Sequence, residues 1–436
     1  MEKGNRKELK KTRVVSLALE DGTLVEAIQE APNEQTKLIV SDKTGDRVLA
    51  DWTHGGLDYV PVAASHNLLK HRAVKLPGTP QEYGTVEELF AEIEQYAETY
   101  VSISPVFRRI AASYILLSWV YDAFNELPYL RFRGDYGSGK TRALIVFGSI
   151  AYKGFFASGA STVSPIFHTL DAFSSTLIFD EADFRFTDER AELVKILNNG
   201  NVKGFSVLRT HVTASKEFEP RAFNVYGPKI VAMRGSYEDR ALESRFLTEE
   251  MSGQAMRADI PISLPEAQEA EAHVLRSKLL QYRLRERNRV QIDASLVDSS
   301  LEPRMNQVLL PLLSIAPSEE VREAIRRYAA HVQEGVVSDR AGSTEGQILA
   351  VIAALAIGDR AVLPLQEIVA AFTDRFSADY DRPITNRFIG GVLRNRLGLP
   401  LYKTNGVIAV SLKDQSRVEQ LLTRYGIGNN EWKSAA

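Results

Sequence analysis

The sequence predicts an α/β core on a mostly parallel sheet. A small β-rich domain precedes this core, and helices follow it, leading to a module of three helices, a β-hairpin and a last helix. Three observations predict this. Strand and helix patterns alternate from about residue 128 to 251. A short apolar strand at 129–133 runs into a glycine-rich turn of the form G-x-x-x-x-G-K-[ST] at 134–141, and then into a helix. A second apolar run at 176–180 ends in the acids Asp180 and Glu181, about 40 residues after Lys140.

Taken in order, residues 1–13 form a basic, polar arm expected to be disordered. From 14 to about 62, short β-rich runs alternate with the turn signals Glu20-Asp21-Gly22 and Lys43-Thr44-Gly45-Asp46. With the linker around Pro77-Gly78-Thr79-Pro80 this predicts a small β-rich domain over 14–84. The core is expected over 85–262. Leu89, Phe90, Ile93 and Tyr96 share one face of a helix over 86–100, and a segment apolar almost all round predicts a buried helix over 106–124. Helix 139–152 carries Leu144, Ile145, Phe147 and Ile150 on its apolar face. A strand near Phe155, the acid-ended strand, a helix over 189–198, a β-hairpin within 205–226 and an apolar strand at 229–233 complete the core. Residues 263–338 read as a helical lid region, with a linker at 335–343, and Arg283, Arg285, Arg287 and Arg289 suggest a solvated helix face. In the last segment, 339–436, the hairpin at 401–410 turns at Asn405-Gly406.

Composition bounds the function. A chain of 436 residues exceeds one ordinary domain, and 44% hydrophobic with 25% charged residues is the balance of a soluble globular protein. At a formal net charge of -3, any nucleic-acid contact must come from local basic patches. With no cysteine, disulfides, thiol catalysis and cysteine metal sites are excluded. Of seven histidines only His66 and His71 lie close together, without a third ligand, so no zinc site is expected. The longest apolar runs are too short to span a bilayer, and the amino terminus lacks the apolar stretch of a signal peptide. A cytoplasmic protein without membrane contact is expected.

The turn at 134–141 is the phosphate-cradling P-loop, and its chemistry explains its residue types. Gly134, Gly137 and Gly139 let the backbone close around an anion with its N–H groups inward, and Asp135, Tyr136 and Ser138 fill the spaces between them. The helix that follows adds its positive dipole end. Lys140 reaches the β- and γ-phosphates, and the Thr141 hydroxyl ligates Mg²⁺. Asp180 takes the role of the second Mg²⁺ ligand, on a strand expected beside the P-loop strand. Glu181 orients or deprotonates the attacking water. ATP and Mg²⁺ are therefore the expected cofactors. Residues 180–183 read D-E-A-D, but superfamily 2 RNA helicases carry two α/β cores in tandem and this chain has one.

Beyond the apolar strand come Arg234-Gly235-Ser236 and then Asp239-Arg240-Ala241-Leu242-Glu243-Ser244-Arg245-Phe246. The order of P-loop, D-E strand, hairpin, apolar strand and L-x-S-R-F resembles AAA+ ATPases. It is closest to hexameric DNA helicases of the minichromosome-maintenance type and superfamily 3, especially those encoded by phages, plasmids and cassette-type mobile elements. The resemblance implies an ATP-driven DNA helicase acting as a homo-oligomeric ring, a hexamer, in replication of such an element, on single- or double-stranded DNA and alongside replication proteins. It implies that Arg245 is an arginine finger reaching the neighbouring subunit's γ-phosphate, with Arg240 the runner-up, and that Arg304 is a second sensor. The hairpin would project into the ring's pore, with Lys216 at its tip and Arg209 and His211 assisting. The last domain resembles a winged helix, with Arg387, Arg394 and Arg396 on a recognition helix at 384–397 and Lys403 on the wing. The strand end at Met233-Arg234 departs from the family's polar sensor, which Arg234 or Ser236 would have to replace. Two other readings stand beside this one, a DNA-binding initiator or loader ATPase and a protein-remodelling ATPase.

Overall fold

The computed structural model describes residues 11–31, 34–180, 188–212, 217–251, 257–356, 360, 362–404, 406–412 and 415–427. Two small sheets come first, and they correct the disordered arm expected over 1–13: residues 11–13 are strand, because they pair with β7, and residues 1–10 lie outside the described residues. The first joins β1 (Lys11–Val14) in parallel to β7 (Leu57–Pro61), which pairs antiparallel with β6 (Trp52–His54). The second is an antiparallel meander of β2 (Ser16–Ala18), β3 (Leu24–Ile28), β4 (Lys37–Asp42) and β5 (Gly45–Leu49). A single turn of helix, α1 (Asn67–Lys70), follows. Val14, Val25, Leu38 and Val40 from these sheets share one hydrophobic cluster with Leu177, Phe179 and Val231. Residues 1–328 form one compact unit.

Two helices lead into the central sheet. Helix α2 (Val86–Tyr100) starts at a capping box in which the Thr85 hydroxyl accepts from Glu88 N (3.2 Å) and the Glu88 carboxylate accepts from Thr85 N (2.8 Å). Helix α3 (Pro105–Val120) begins with proline at its first position after Ser104, whose hydroxyl caps Phe107 N. It ends four residues short of the expected 106–124, in a 3₁₀ turn (Tyr121–Ala123).

The central sheet contains β8 (Tyr129–Arg133), β9 (Phe155–Ser158), β10 (Leu177–Asp180), β13 (Lys229–Met233) and β14 (Phe246–Glu250). All its pairings are parallel, in the order β14-β8-β13-β10-β9. Strands buried on both faces read as near-continuous apolar runs, as the inner strands β10 and β13 do. The expectation that β10 lies beside the P-loop strand is corrected: β13 stands between them. Crossovers use α4 (Lys140–Ile150), α5 (Val163–Phe173) and α6 (Asp188–Asn199), and a hairpin of β11 (Val207–Val212) and β12 (Phe218–Phe223) precedes β13. Helix α5 and strand β14 are absent from the sequence reading. A short α7 (Arg240–Glu243) leads to β14, then come α8 (Glu266–Glu286), α9 (Pro303–Ile315) and α10 (Glu319–Gly342). Helix α4 packs on β8, β13 and β10, and α2, α3 and α8 pack on α4. The linker expected at 335–343 is mostly helix, because α10 runs through Gly335 to Gly342.

Of the four arginines expected on a solvated face, Arg289 is exposed and Arg285 is half-buried beside the exposed Glu82, but Arg283 and Arg287 turn inward. Arg283 is 2% exposed. Its Nε donates to Glu26 Oε1 (2.7 Å), and Nη1 and Nη2 donate to Asp122 (2.7 and 3.0 Å). Glu26, fully buried on β3, also pairs with Lys153 Nζ (2.8 Å) and accepts from the Tyr152 hydroxyl (2.9 Å). Arg287, one turn after Arg283, donates to Asp122 as well (3.2 Å). The correction has a simple cause: the acids that draw α8 inward lie 257 and 161 residues away from Arg283. Burial alone would raise the Asp122 pKa, but the guanidinium groups of Arg283 and Arg287 outweigh it and hold the carboxyl well below its usual range. The network thus ties the amino-terminal sheet to the core.

A second buried cation sits at the start of β13. Lys229 Nζ donates to the carbonyls of Gly200 (3.2 Å), Val225 (2.9 Å) and Gly227 (2.9 Å), and burial pushes its pKa down to about 7. Between that value and the usual lysine range, the unfolded chain holds a proton that the folded chain releases. Stability should therefore rise with pH through that window. Lys229→Met is expected to flatten the rise in melting temperature between pH 7 and pH 9; an unchanged pH slope would show that Lys229 titrates normally.

Residues 329–436 form a second unit. It contains α11 (Thr344–Leu355), β15 (Val362–Pro364), α12 (Leu365–Phe376), α13 (Asn386–Asn395), β16 (Leu401–Thr404), β17 (Val407–Ser411) and α14 (Gln415–Arg424). The strands form an antiparallel sheet in the order β15-β17-β16, and Ile352, Phe372, Leu393, Val410 and Leu422 meet in its core.

Candidate active site

Strand β8 delivers the glycine-rich turn to the carboxyl edge of the sheet, where α4 begins. Gly137 (φ 73°) and Gly139 (φ 90°) adopt left-handed backbone conformations that side chains disfavour, and Gly139 is the residue that opens α4. The Lys140 ammonium folds back over the turn and donates to the carbonyls of Gly134 (2.5 Å) and Asp135 (2.6 Å), with Ser138 Oγ at 3.4 Å. One residue on, the Thr141 hydroxyl donates to Asp180 Oδ2 at 2.8 Å. This contact joins the first turn of α4 to the carboxyl end of β10 across the intervening β13.

These groups fit Mg²⁺. A hydroxyl and a carboxylate oxygen are hard donors, and Mg²⁺ is commonly held by one or two protein oxygens together with phosphate oxygens. Among the described residues no group of three or more acids or histidines is arranged to hold a metal. Glu181 lies outside the described residues.

Arg245 sits at the other end of the sheet. It precedes β14, whose first residue pairs with Tyr129 at the start of β8, and its carbonyl accepts from Tyr129 N (2.9 Å). Five residues of strand, about 16 Å, separate it from the turn that β8 feeds, beyond the reach of one side chain. Arg245 Nη1 donates to Asn198 O (2.9 Å) and Asn198 Oδ1 (2.8 Å) at the end of α6. Burial, and then the positive charge of nearby Arg304, lower its pKa. Arg304, which donates to Gln307 Oε1 (2.7 Å), therefore belongs to the Arg245 end of the sheet. Arg240 is exposed on α7.

The hairpin has two unlike faces. Val207 and Phe223 are buried at its base, while Arg209 pairs with Glu192 of α6 and lies over the Phe167 ring at 5.0 Å. On the other face, Leu208 and Val212 of β11 and Phe218 of β12 are exposed. His211 lies on β11, and Lys216 lies outside the described residues. In the second unit Arg387, Arg394, Arg396 and Lys403 are exposed, and Arg396 pairs with Glu345 (3.2 Å). Arg394 Nε donates to Gly390 O (3.3 Å).

Three arginines around the cradle escaped the sequence reading. Arg131 is 3% exposed and binds Glu243, and Arg133 binds Glu250 and Ser236. Arg142 donates to the carbonyls of Pro261 (2.6 Å) and Ile262. An Arg at every second position of a strand was the available signal for the first two.

Among the described residues no helix is long and apolar enough to cross a membrane. No family model matches the chain, and no curated protein does. Solved structures with some likeness include the active Cch helicase of SCCmec type IV, at 14% identity and TM-score 0.43, over 94% of this chain and 80% of that one. The C-terminal region of NrS-1 aligns at 12% identity and TM-score 0.37, over 89% and 96%. The Aeropyrum pernix Orc1 protein in complex with DNA aligns at 14% identity and TM-score 0.20, over 78% and 97%.

Proposed function

We propose that this chain is an ATP-dependent DNA helicase or translocase that works as a ring of identical subunits. The observation that carries the reading is the Thr141–Asp180 contact beside the Lys140-lined turn. It brings a phosphate cradle and a two-oxygen metal site together at the carboxyl edge of a parallel sheet. Gly134 to Thr141 bind the nucleotide, Lys140 orients and neutralises its β- and γ-phosphates, and Thr141 and Asp180 hold Mg²⁺. That ion supplies charge neutralisation on the transferring phosphoryl group. Glu181, the next residue in the chain, positions the attacking water.

Arg245, with Arg304 beside it, serves the site of the neighbouring subunit rather than its own. Two ends of one subunit that complete different sites require a head-to-tail interface, which closes into a ring when the rotation permits. The hairpin carries DNA contacts at Lys216, with His211 near the tip. Arg209 supports the hairpin through Glu192. The second unit acts as a winged helix whose Arg387, Arg394 and Lys403 meet DNA phosphates.

Lys140→Ala is expected to lower ATP turnover by about 10²–10³-fold, the usual cost of removing one aimed donor from a transition state. Strand displacement on a forked duplex should vanish in it and in Glu181→Gln. ATPase activity indifferent to DNA would contradict the motor and favour a protein-remodelling ATPase. DNA-stimulated hydrolysis without strand displacement would favour an initiator or loader.

A further inference from the structure

The guanidinium of Arg245 is held at one corner only. Nη1 meets the carbonyls of Leu197 (3.5 Å) and Asn198 (2.9 Å) and the side-chain Oδ1 of Asn198 (2.8 Å). Nε is buried with no partner, and among the described residues no hydrogen bond reaches Nη2. Buried N–H groups are seldom left unpaired, so a single subunit satisfies only part of this arginine. Asn198, next to last in α6, faces two opposite charges. Its Oδ1 accepts from Arg245 and its Nδ2 donates to Asp239 Oδ2 (3.0 Å). A guanidinium can only donate and a carboxylate can only accept, so a carboxamide suits both and its orientation is fixed. Asp239 in turn caps α7, accepting from Ala241 N (2.9 Å) and Leu242 N (3.3 Å), and Arg245 N donates to Leu242 O (3.0 Å). Asn198 thus grips Arg245 twice, at the side chain directly and at the backbone through Asp239 and α7. The end of α6 is itself anchored to the sheet. The Tyr129 hydroxyl donates to Leu197 O (2.7 Å), and the buried Lys229 ammonium donates to Gly200 O (3.2 Å).

We propose that Asn198 is the positioning residue for Arg245, fixing Nη1 so that the unpaired part of the guanidinium is presented to the γ-phosphate of the neighbouring subunit. Because the guanidinium is a rigid plane, holding one nitrogen sets the direction of the other two. The gain is in placement: a shift of about 1 Å in an aimed group can cost about 10²-fold in turnover. Asn198 itself touches no nucleotide and acts through Arg245 alone. This inference rests on the reading of Arg245 as a finger that acts in trans.

The test measures steady-state and single-turnover ATP hydrolysis by the full chain with single-stranded DNA present. In Asn198→Ala, kcat should fall by about 10–100-fold while KM for ATP stays within about twofold, because placement in the transition state is lost and ground-state binding is not. The fall should be smaller than that of Arg245→Ala, since the backbone carbonyl at 198 still holds Nη1. In the Arg245→Ala background, Asn198→Ala should change the single-turnover rate by less than about twofold, as nothing is left to position. Asn198→Asp combined with Asp239→Asn exchanges the two groups and keeps an acceptor for Arg245, a bond between 198 and 239, and a good cap for α7. That exchange should return kcat to within about threefold of wild type. Wild-type kcat in Asn198→Ala, a raised KM with kcat kept, or a further loss in the Arg245→Ala background would overturn the proposal. So would an exchanged pair no better than alanine. Wild-type turnover in Arg245→Ala would instead defeat the finger reading itself, whereas a loss there with none in Asn198→Ala would strike this inference alone.

Discussion

Replacing Arg245 with alanine is expected to lower ATP turnover by about 10³–10⁵-fold, the range typical of a lost arginine finger. The loss should be rescued in part by mixing with Lys140→Ala protein. Arg245 stands at the start of β14, one strand length from the turn at 134–141, so it cannot serve its own cradle. In a mixed ring, a subunit lacking Arg245 still offers an intact cradle, and a subunit lacking Lys140 still offers an intact Arg245. Some interfaces then contain both halves. The finger assignment predicts ATPase recovery that grows with the mixing ratio and vanishes when assembly is blocked. Without recovery in assembled mixtures, Arg245 would be a structural arginine fastening the end of α6 through Asn198.

The second large effect concerns stability. Glu26→Ala is expected to cost about 3–5 kcal/mol, because it leaves buried Lys153 without its carboxylate partner and Arg283 with Asp122 alone. Lys153 and Arg283 both meet Glu26, and all three side chains are at most 2% exposed. Burial lowers the Lys153 pKa and Glu26 opposes that fall, so removing the carboxylate should drive Lys153 further toward its neutral form. Denaturant unfolding of Glu26→Ala and Glu26→Gln checks this. Glutamine keeps the shape and an acceptor, so its loss should be smaller. A loss below about 1 kcal/mol in the alanine variant would be the value of an exposed pair, and would contradict the buried network. Acidification should weaken the same network, since the depressed Asp122 pKa contributes stability that is lost as pH falls below the ordinary carboxylate range.

Local signals were legible in the sequence wherever the physics is local. The capping box at Thr85 and Glu88, the apolar face of α2, and the glycine-rich turn with its strand and helix are each written within a few residues. The hairpin near 205–226 and the antiparallel pair of β16 and β17 follow from the same short-range chemistry. What depends on long-range placement was not legible. The insertion of β13 between β8 and β10 is decided by crossover connections, which no residue pattern along β10 records. The inward turn of Arg283 depends on Glu26 and Asp122, acids in other elements. Helix α5 was hidden because Pro165 reads as a breaker but sits in the first turn, where proline is tolerated. Of the candidate site, the contact between Thr141 and Asp180 joins two residues that the sequence reading had singled out, and the stacking of Arg234 on Tyr136 had no sequence signal.

In the proposed function, Lys140, Thr141 and Asp180 form one half of an ATPase site completed by another copy of the chain and coupled to DNA. The most direct test is ATP hydrolysis by the full chain with and without single-stranded DNA, recorded together with solution mass in the presence and absence of nucleotide. A closed oligomer favoured by ATP, with hydrolysis stimulated by DNA, is expected. A monomer that hydrolyses ATP at one rate whatever DNA is present would contradict it.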